Sequence, residues 1–187
     1  MAKRKLDQVL IVDIEATCWE NSVPPEQESE IIEIGLCLLD VASWEPQNKS
    51  SILVRPEHST VSPFCTQLTS LTQEQVEQGI SFAEACTLLQ TAYASHERVW
   101  ASYGEADRLR FERQCHSRQI AYPFAPRHIN IKALFALWYG LPKEVGMSTA
   151  LQIAGLPLEG THHRGDDDAW NIAALFAGIM KHGRTSN

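Results

Sequence analysis

No two of the five cysteines, Cys18, Cys37, Cys65, Cys86 and Cys115, stand in CxxC spacing, and their number is odd. Both facts argue against a disulfide framework or a zinc ribbon and favour a reducing cytoplasm. Long apolar runs are missing as well. The longest, Ile172 to Met180, falls far short of the roughly 20 residues that span a bilayer, so no membrane association is expected. The start, Met1-Ala2-Lys3-Arg4-Lys5, leads into Leu6-Asp7-Gln8 rather than into an apolar segment and a cleavage site. It does not read as a secretory signal. A solvated basic tip is the simpler reading of it than a nucleic-acid contact.

Excess positive charge is also lacking. Sixteen Lys and Arg against 23 Asp and Glu give a formal charge of −7, which weighs against a broad surface that holds long duplexes by neutralising phosphates. It leaves room for an enzyme that grips a few terminal nucleotides through metal ions. There is no internal repeat and no low-complexity stretch. The 187 residues suit one domain, 1–187, with a sizeable core, a basic tip and a frayed polar tail, Arg184 to Asn187.

What is present is a succession of short apolar runs followed by helical periodicity. Val9 to Val12 reads as a buried strand ending at Asp13, Glu30 to Val41 as a second, and Ser51 to Val54 as a third that Pro56 stops. Their short linkers predict an antiparallel meander. Helices are expected over Gln73–Gln78, Phe82–Ser95, Ala106–Arg118, Ile129–Tyr139 and Ser148–Ala154, with a further strand over Arg98–Ser102. The last helix is the clearest. Ala169, Ile172, Ala173, Phe176, Ile179 and Met180 recur at three- and four-residue intervals, with Asp166 to Asp168 at its start and Lys181 and His182 at its end. The order predicts an α/β layer fold.

Three groups of residues carry chemistry. Asp13 and Glu15 leave the end of the first strand, and alternate strand residues face one side, so the two carboxylates point together. They repel each other, and a hard divalent cation would compensate. A lone Asp-x-Glu reads more simply as a polar strand end entering a loop. The run His162-His163-Arg164-Gly165-Asp166-Asp167-Asp168 exceeds what a helix cap requires. Asp168 lies one residue before inward-facing Ala169, and His163, five residues earlier, can swing over the same place and take a proton from water. Asp107 follows Gly104 at the start of the Ala106–Arg118 helix, with Glu105 as a competing carboxylate. Arg108, Arg110 and Arg113 on that helix read as a solvated face, with phosphate contact as the other reading.

Taken together and in order, these pieces resemble the DEDD exonuclease superfamily, in its DEDDh or DnaQ-like subgroup. Asp13-Ile14-Glu15-Ala16-Thr17-Cys18 looks like the first motif. Its Ala-Thr-Cys ending is similar to the branch of histone-mRNA and small-interfering-RNA 3′ exonucleases and KapD-like proteins. Asp107 falls at the second-motif aspartate, and His163 with Asp168 matches the third motif's His-x-x-x-x-Asp. Glu30-Ile31-Ile32-Glu33-Ile34-Gly35 is like the branch's second strand, and Ser62 to Thr66 with Leu68-Thr69 resembles the loop after its third. Two positions depart from the pattern. Tyr103-Gly104-Glu105 stands for the branch's Trp-Gly-Asp, and Asp166 for an apolar residue.

The resemblance implies a ribonuclease H-like mixed sheet, antiparallel over its first three strands and then parallel, flanked by helices. It implies hydrolysis at the 3′ end of single-stranded nucleic acid, RNA favoured, with two Mg²⁺ or Mn²⁺ ions roughly 3.5–4 Å apart. Asp13, Glu15 and Asp168 would hold one ion, Asp13 would bridge to the second, Asp107 would reach an ion through water, and His163 would be the general base. Ala16, Thr17 and Cys18 would offer backbone N–H groups to the terminal sugar, while Trp19, next in the chain, reads equally as a stacking partner for the terminal base and as a core or lid residue. His162 receives no role, and no obligate protein partner is evident. A DNA-directed proofreading or repair exonuclease, or a regulatory binding protein that retains the fold, remain the alternatives.

Overall fold

A computed structural model describes residues 5–184. The basic tip before Lys5 and the tail beyond Arg184 lie outside the described residues. The first apolar run becomes β1 (Gln8–Ala16), the second β2 (Ile31–Asp40) and the third β3 (Pro46–Leu53). β4 (Val99–Ser102) and β5 (His128–Asn130) complete a five-stranded sheet of order β3-β2-β1-β4-β5. β1–β2 and β2–β3 are antiparallel, while β1–β4 and β4–β5 are parallel. This is the expected mixed sheet.

Both faces are covered. Val9 and Ile11 of β1 join Cys37 and Leu39 of β2 under α5 (Ile131–Trp138), α6 (Met147–Ala154) and α7 (Gly165–Arg184), packing on Phe135, Leu151, Ile172 and Phe176. Leu10 and Val12 face the other way. They pack with Leu36 and Trp100 on Phe82 and Leu89 of α3 (Phe82–Tyr93) and on Phe111 and Cys115 of α4 (Ala106–Arg118). The strict alternation of β1 therefore decides which helices each residue meets. All five cysteines are free, and among the described residues no helix is long and apolar enough to cross a membrane.

Four elements differ from expectation. β1 does not end at Asp13 but runs to Ala16, with a bulge between Glu15 and Ala16, so both acids lie within the strand. β3 begins five residues before Ser51, because it is the sheet's edge and its first residues, Gln47, Asn48 and Lys49, are exposed and polar. The segment expected as a loop after β3 contains α1 (Pro63–Thr69). There Ser62 accepts the Cys65 N–H at 3.0 Å and Pro63 sits where its missing N–H costs nothing. α2 (Gln73–Glu77) follows. The Ile129–Tyr139 helix loses its start to β5, after which Asn130 caps α5 by accepting the Ala133 N–H at 3.0 Å.

Candidate active site

β1 places Asp13 and Glu15 on the α7 side of the sheet, two residues apart. What brings α7 to them is a close approach of two glycines. A Cβ on Gly35, which pairs with Asp13 across the sheet, would lie 1.7 Å from the Gly165 carbonyl carbon. Only glycine lets the helix start there. Glu33, fully buried and opposite Glu15, fixes the contact: it accepts the Gly165 N–H at 2.9 Å and pairs with Arg164 at 2.9 Å. The first turn of α7 then delivers Asp168. Ligand oxygens of Asp13, Glu15 and Asp168 all lie within 4.8 Å of one another.

Asp107, in the first turn of α4, faces the same cleft of about 250 Å³, which Tyr103, Ala106, Met147, His162 and His163 also line. The competing Glu105 does not. It is drawn to Arg108 at 2.7 Å and to the Asn130 amide at 3.3 Å, and these contacts hold its carboxyl below the usual range. Asp167 is held by Lys49 and by the Thr161 N–H at 2.7 Å, and Asp166 does not line the cleft.

The four carboxyls are all pushed upward. Burial does most of it for Asp13, followed by the charges of Asp107, Glu15 and Asp168. Burial raises Glu15 to about 8 and Asp107 to about 7, and it raises Asp168 against the pull of His162 and the His163 N–H. Four mutually repelling, largely desolvated carboxyls form an all-oxygen donor set. That set fits a hard divalent cation in chemistry and in spacing.

The two histidines divide the work. His163 has left-handed backbone, φ +66°, which aims its N–H at Asp168 (2.9 Å). Burial, and then the neighbouring His162, lowers its ring pKa, so the imidazole is neutral and able to accept a proton near pH 7. His162 stacks on it with centroids 4.0 Å apart and places Nδ1 3.1 and 3.0 Å from the two Asp168 oxygens. No local pattern around His162 points to that contact.

The turn after β1 is partly committed to the fold. The Thr17 N–H donates to the Glu30 carbonyl at 2.9 Å, and its buried hydroxyl accepts the Glu30 N–H at 2.9 Å. Thr17 therefore shapes the turn rather than offering its N–H to a sugar. The carbonyls of Ala16 and Cys18 accept from Cys65 Sγ (3.6 Å) and Ser62 Oγ (2.6 Å). Half-buried Trp19 lines a second hollow with Cys18, Ser29 and Arg110. Sequence reasoning missed Glu33, and it did not separate half-buried Arg110 from the solvated face of its helix. The signal for Glu33 was an acid inside an otherwise apolar strand, facing Glu15.

A family model described as exonuclease, of the RNase T type, matches residues 10–176. Human 3′-5′ exoribonuclease 1 is 32% identical over 95% of this chain and 53% of its own length. The Drosophila melanogaster 3′-5′ exonuclease Snipper is 26% identical, over 98% of this chain and 73% of its own. The chain thus spans about half the length of the human relative. Among solved structures, the nuclease domain of 3′hExo, a DEDDh family member bound to rAMP, superposes with a TM-score of 0.86 at 30% identity. The match covers 97% of this chain and 96% of that one. A 3′-exonuclease that recognises the histone mRNA stem-loop gives 0.84 at 29%, covering 97% and 66%.

Proposed function

Because this chain belongs to the RNase T exonuclease family, we propose that it is a divalent-metal-dependent 3′-to-5′ exonuclease. Its substrate is the 3′ end of single-stranded RNA and its product a nucleoside 5′-monophosphate. The observation that carries this reading is the convergence of Asp13, Glu15 and Asp168 within 4.8 Å, with Asp107 and a neutral His163 on the same cleft. A binding protein that merely kept the fold has no use for four crowded, desolvated carboxyls. RNA is favoured over DNA by relatives named as exoribonucleases and by the rAMP found in a similar nuclease domain. The free cysteines accord with work in the cytoplasm.

In this mechanism His163 takes the proton of a water whose oxygen attacks the terminal phosphorus. The bond from that phosphorus to the 3′ oxygen of the preceding nucleotide breaks, that oxygen takes a proton from solvent to become the new 3′-hydroxyl, and the phosphate leaves with the terminal nucleoside. His162 holds the Asp168 carboxyl in place, and the Glu33–Arg164 pair holds the start of α7. Two Mg²⁺ or Mn²⁺ ions on Asp13, Glu15, Asp168 and Asp107 would supply Lewis acidity for the water and neutralise charge on the phosphate.

The test is a time course on 5′-labelled single-stranded RNA and matching DNA with Mn²⁺, Mg²⁺ or EDTA, with Asp13→Ala protein alongside. Stepwise shortening from the 3′ end is expected, faster on RNA, and absent in EDTA and in Asp13→Ala. Internal fragments, or intact strands under every metal, would refute it.

A further inference from the structure

α4 carries four arginines, and they separate into two kinds. Arg108 is tied to Glu105 (2.7 Å) and Glu112 (2.6 Å), and Arg118 to Glu28 and Glu30. Arg110 and Arg113 make no ion pair among the described residues, in a chain whose formal charge is −7. Arg113 is exposed, as a solvated face would have it. Arg110 is not part of such a face. It is half-buried and folds back over the turn after β1, donating to the Ser29 hydroxyl, a neutral acceptor. A desolvated guanidinium with five donors is costly unless an anion meets it.

Its position says which anion. Ala106, Arg110 and Arg113 share one helix face, spaced by four and three residues. Ala106 lines the catalytic cleft. Ala106, Leu109, Arg110 and Arg113 line a groove that continues from it, and Arg110 also borders the hollow of Cys18 and Trp19. The groove thus leads away from the carboxylates past two cations in turn. We infer that Arg110 and Arg113 hold the phosphodiesters of the strand leaving the cleft, with Arg110 on the first linkage 5′ to the scissile one. This rests on the exonuclease reading above. The competing account is that Arg110 only braces the turn through Ser29, which itself donates to the Thr17 carbonyl at 2.6 Å.

Binding decides between them. The probe is a short fluorescein-labelled single-stranded RNA, with Ca²⁺ present so that it is held without being cut, read by anisotropy across a salt series. Arg110→Met is expected to weaken binding about 10- to 100-fold. It should lower the slope of log affinity against log salt by about 0.7. Arg113→Gln, at an exposed position that folding tolerates, is expected to lower the slope similarly. An uncharged methylphosphonate at the first linkage 5′ to the scissile bond should weaken wild type by the same factor as Arg110→Met, and cost that variant nothing more. Equal losses for wild type and variant on the modified strand would reduce Arg110 to a brace and overturn the inference, as would unchanged slopes in both variants. Wild-type protein that binds with this salt dependence, yet leaves RNA intact in Mn²⁺, would sink the exonuclease reading and leave the arginine assignment standing.

Discussion

His163 occupies a backbone conformation that few side chains enter readily, φ +66°. Asparagine is among the residues that tolerate it. His163→Asn therefore keeps the N–H on Asp168 while removing the imidazole. The expected result is a fall in kcat of about 10²–10⁴ with RNA affinity retained. Single-turnover rates beside a binding titration would show it, and undiminished turnover would remove His163 from the proton transfer. His162 predicts a different signature. It contacts both Asp168 oxygens, and partners that orient a metal ligand are worth about 10–100-fold in metal affinity or activity. His162→Ala should shift the Mn²⁺ concentration for half-maximal activity upward by that factor, with the rate largely recovered at saturating metal. A rate that stays low at saturation would make His162 more than an orienting group.

At the scale of elements the deciding contact is Gly35 against Gly165. A methyl at position 35 would run into the backbone of α7 rather than into a yielding side chain. Gly35→Ala is expected to cost at least about 2 kcal/mol, or roughly 4–8 °C in Tm, and to lower activity further by displacing Asp168. A melt within a degree of wild type would mean that α7 shifts freely.

This contact also marks the limit of what the sequence discloses. Asp13, Glu15, Asp107, Asp168 and His163 were each ambiguous alone and became legible through their order and spacing, which resemble the DEDDh pattern. The three-strand meander and the helices with strong apolar periodicity were legible from local pattern. β5 was not, because three half-buried residues, His128 to Asn130, carry no period and take their conformation from pairing with β4. The extension of β3 was hidden for a similar reason, since an edge strand need not alternate. Glu33 was illegible as a functional residue, and Arg110 could not be told apart from Arg108 and Arg113, because each role depends on which distant segment lies opposite.

For the whole molecule, the crowded site has a thermodynamic cost that depends on pH. Glu15 is raised from an ordinary 4.5 to about 8 and Asp107 from 3.8 to about 7. Between those values the folded protein holds protons that the unfolded chain has released, so stability falls as pH rises. Glu30 and Asp167 are lowered, and they act oppositely, losing their contribution as pH drops below the carboxylate range. In EDTA, Tm should peak in mild acid and decline toward about pH 8, whereas saturating Mg²⁺ should remove the alkaline decline. Differential scanning fluorimetry over this range checks it, and a metal-free Tm that stays flat or climbs above pH 5 would contradict the raised carboxyls.

The order in which the site's parts occur along the chain has a further meaning during synthesis. β1 and its two acids emerge before α4, and α4 emerges before His163 and the Asp168 of α7. At about 5–20 residues per second, seconds pass in which the nascent chain holds half a metal site and no base. Under the proposed mechanism, a chain built this way stays inert until those last groups have emerged. On that reading cleavage begins only when α7 seats against Gly35 of β2, and its onset serves as a clock for that docking step.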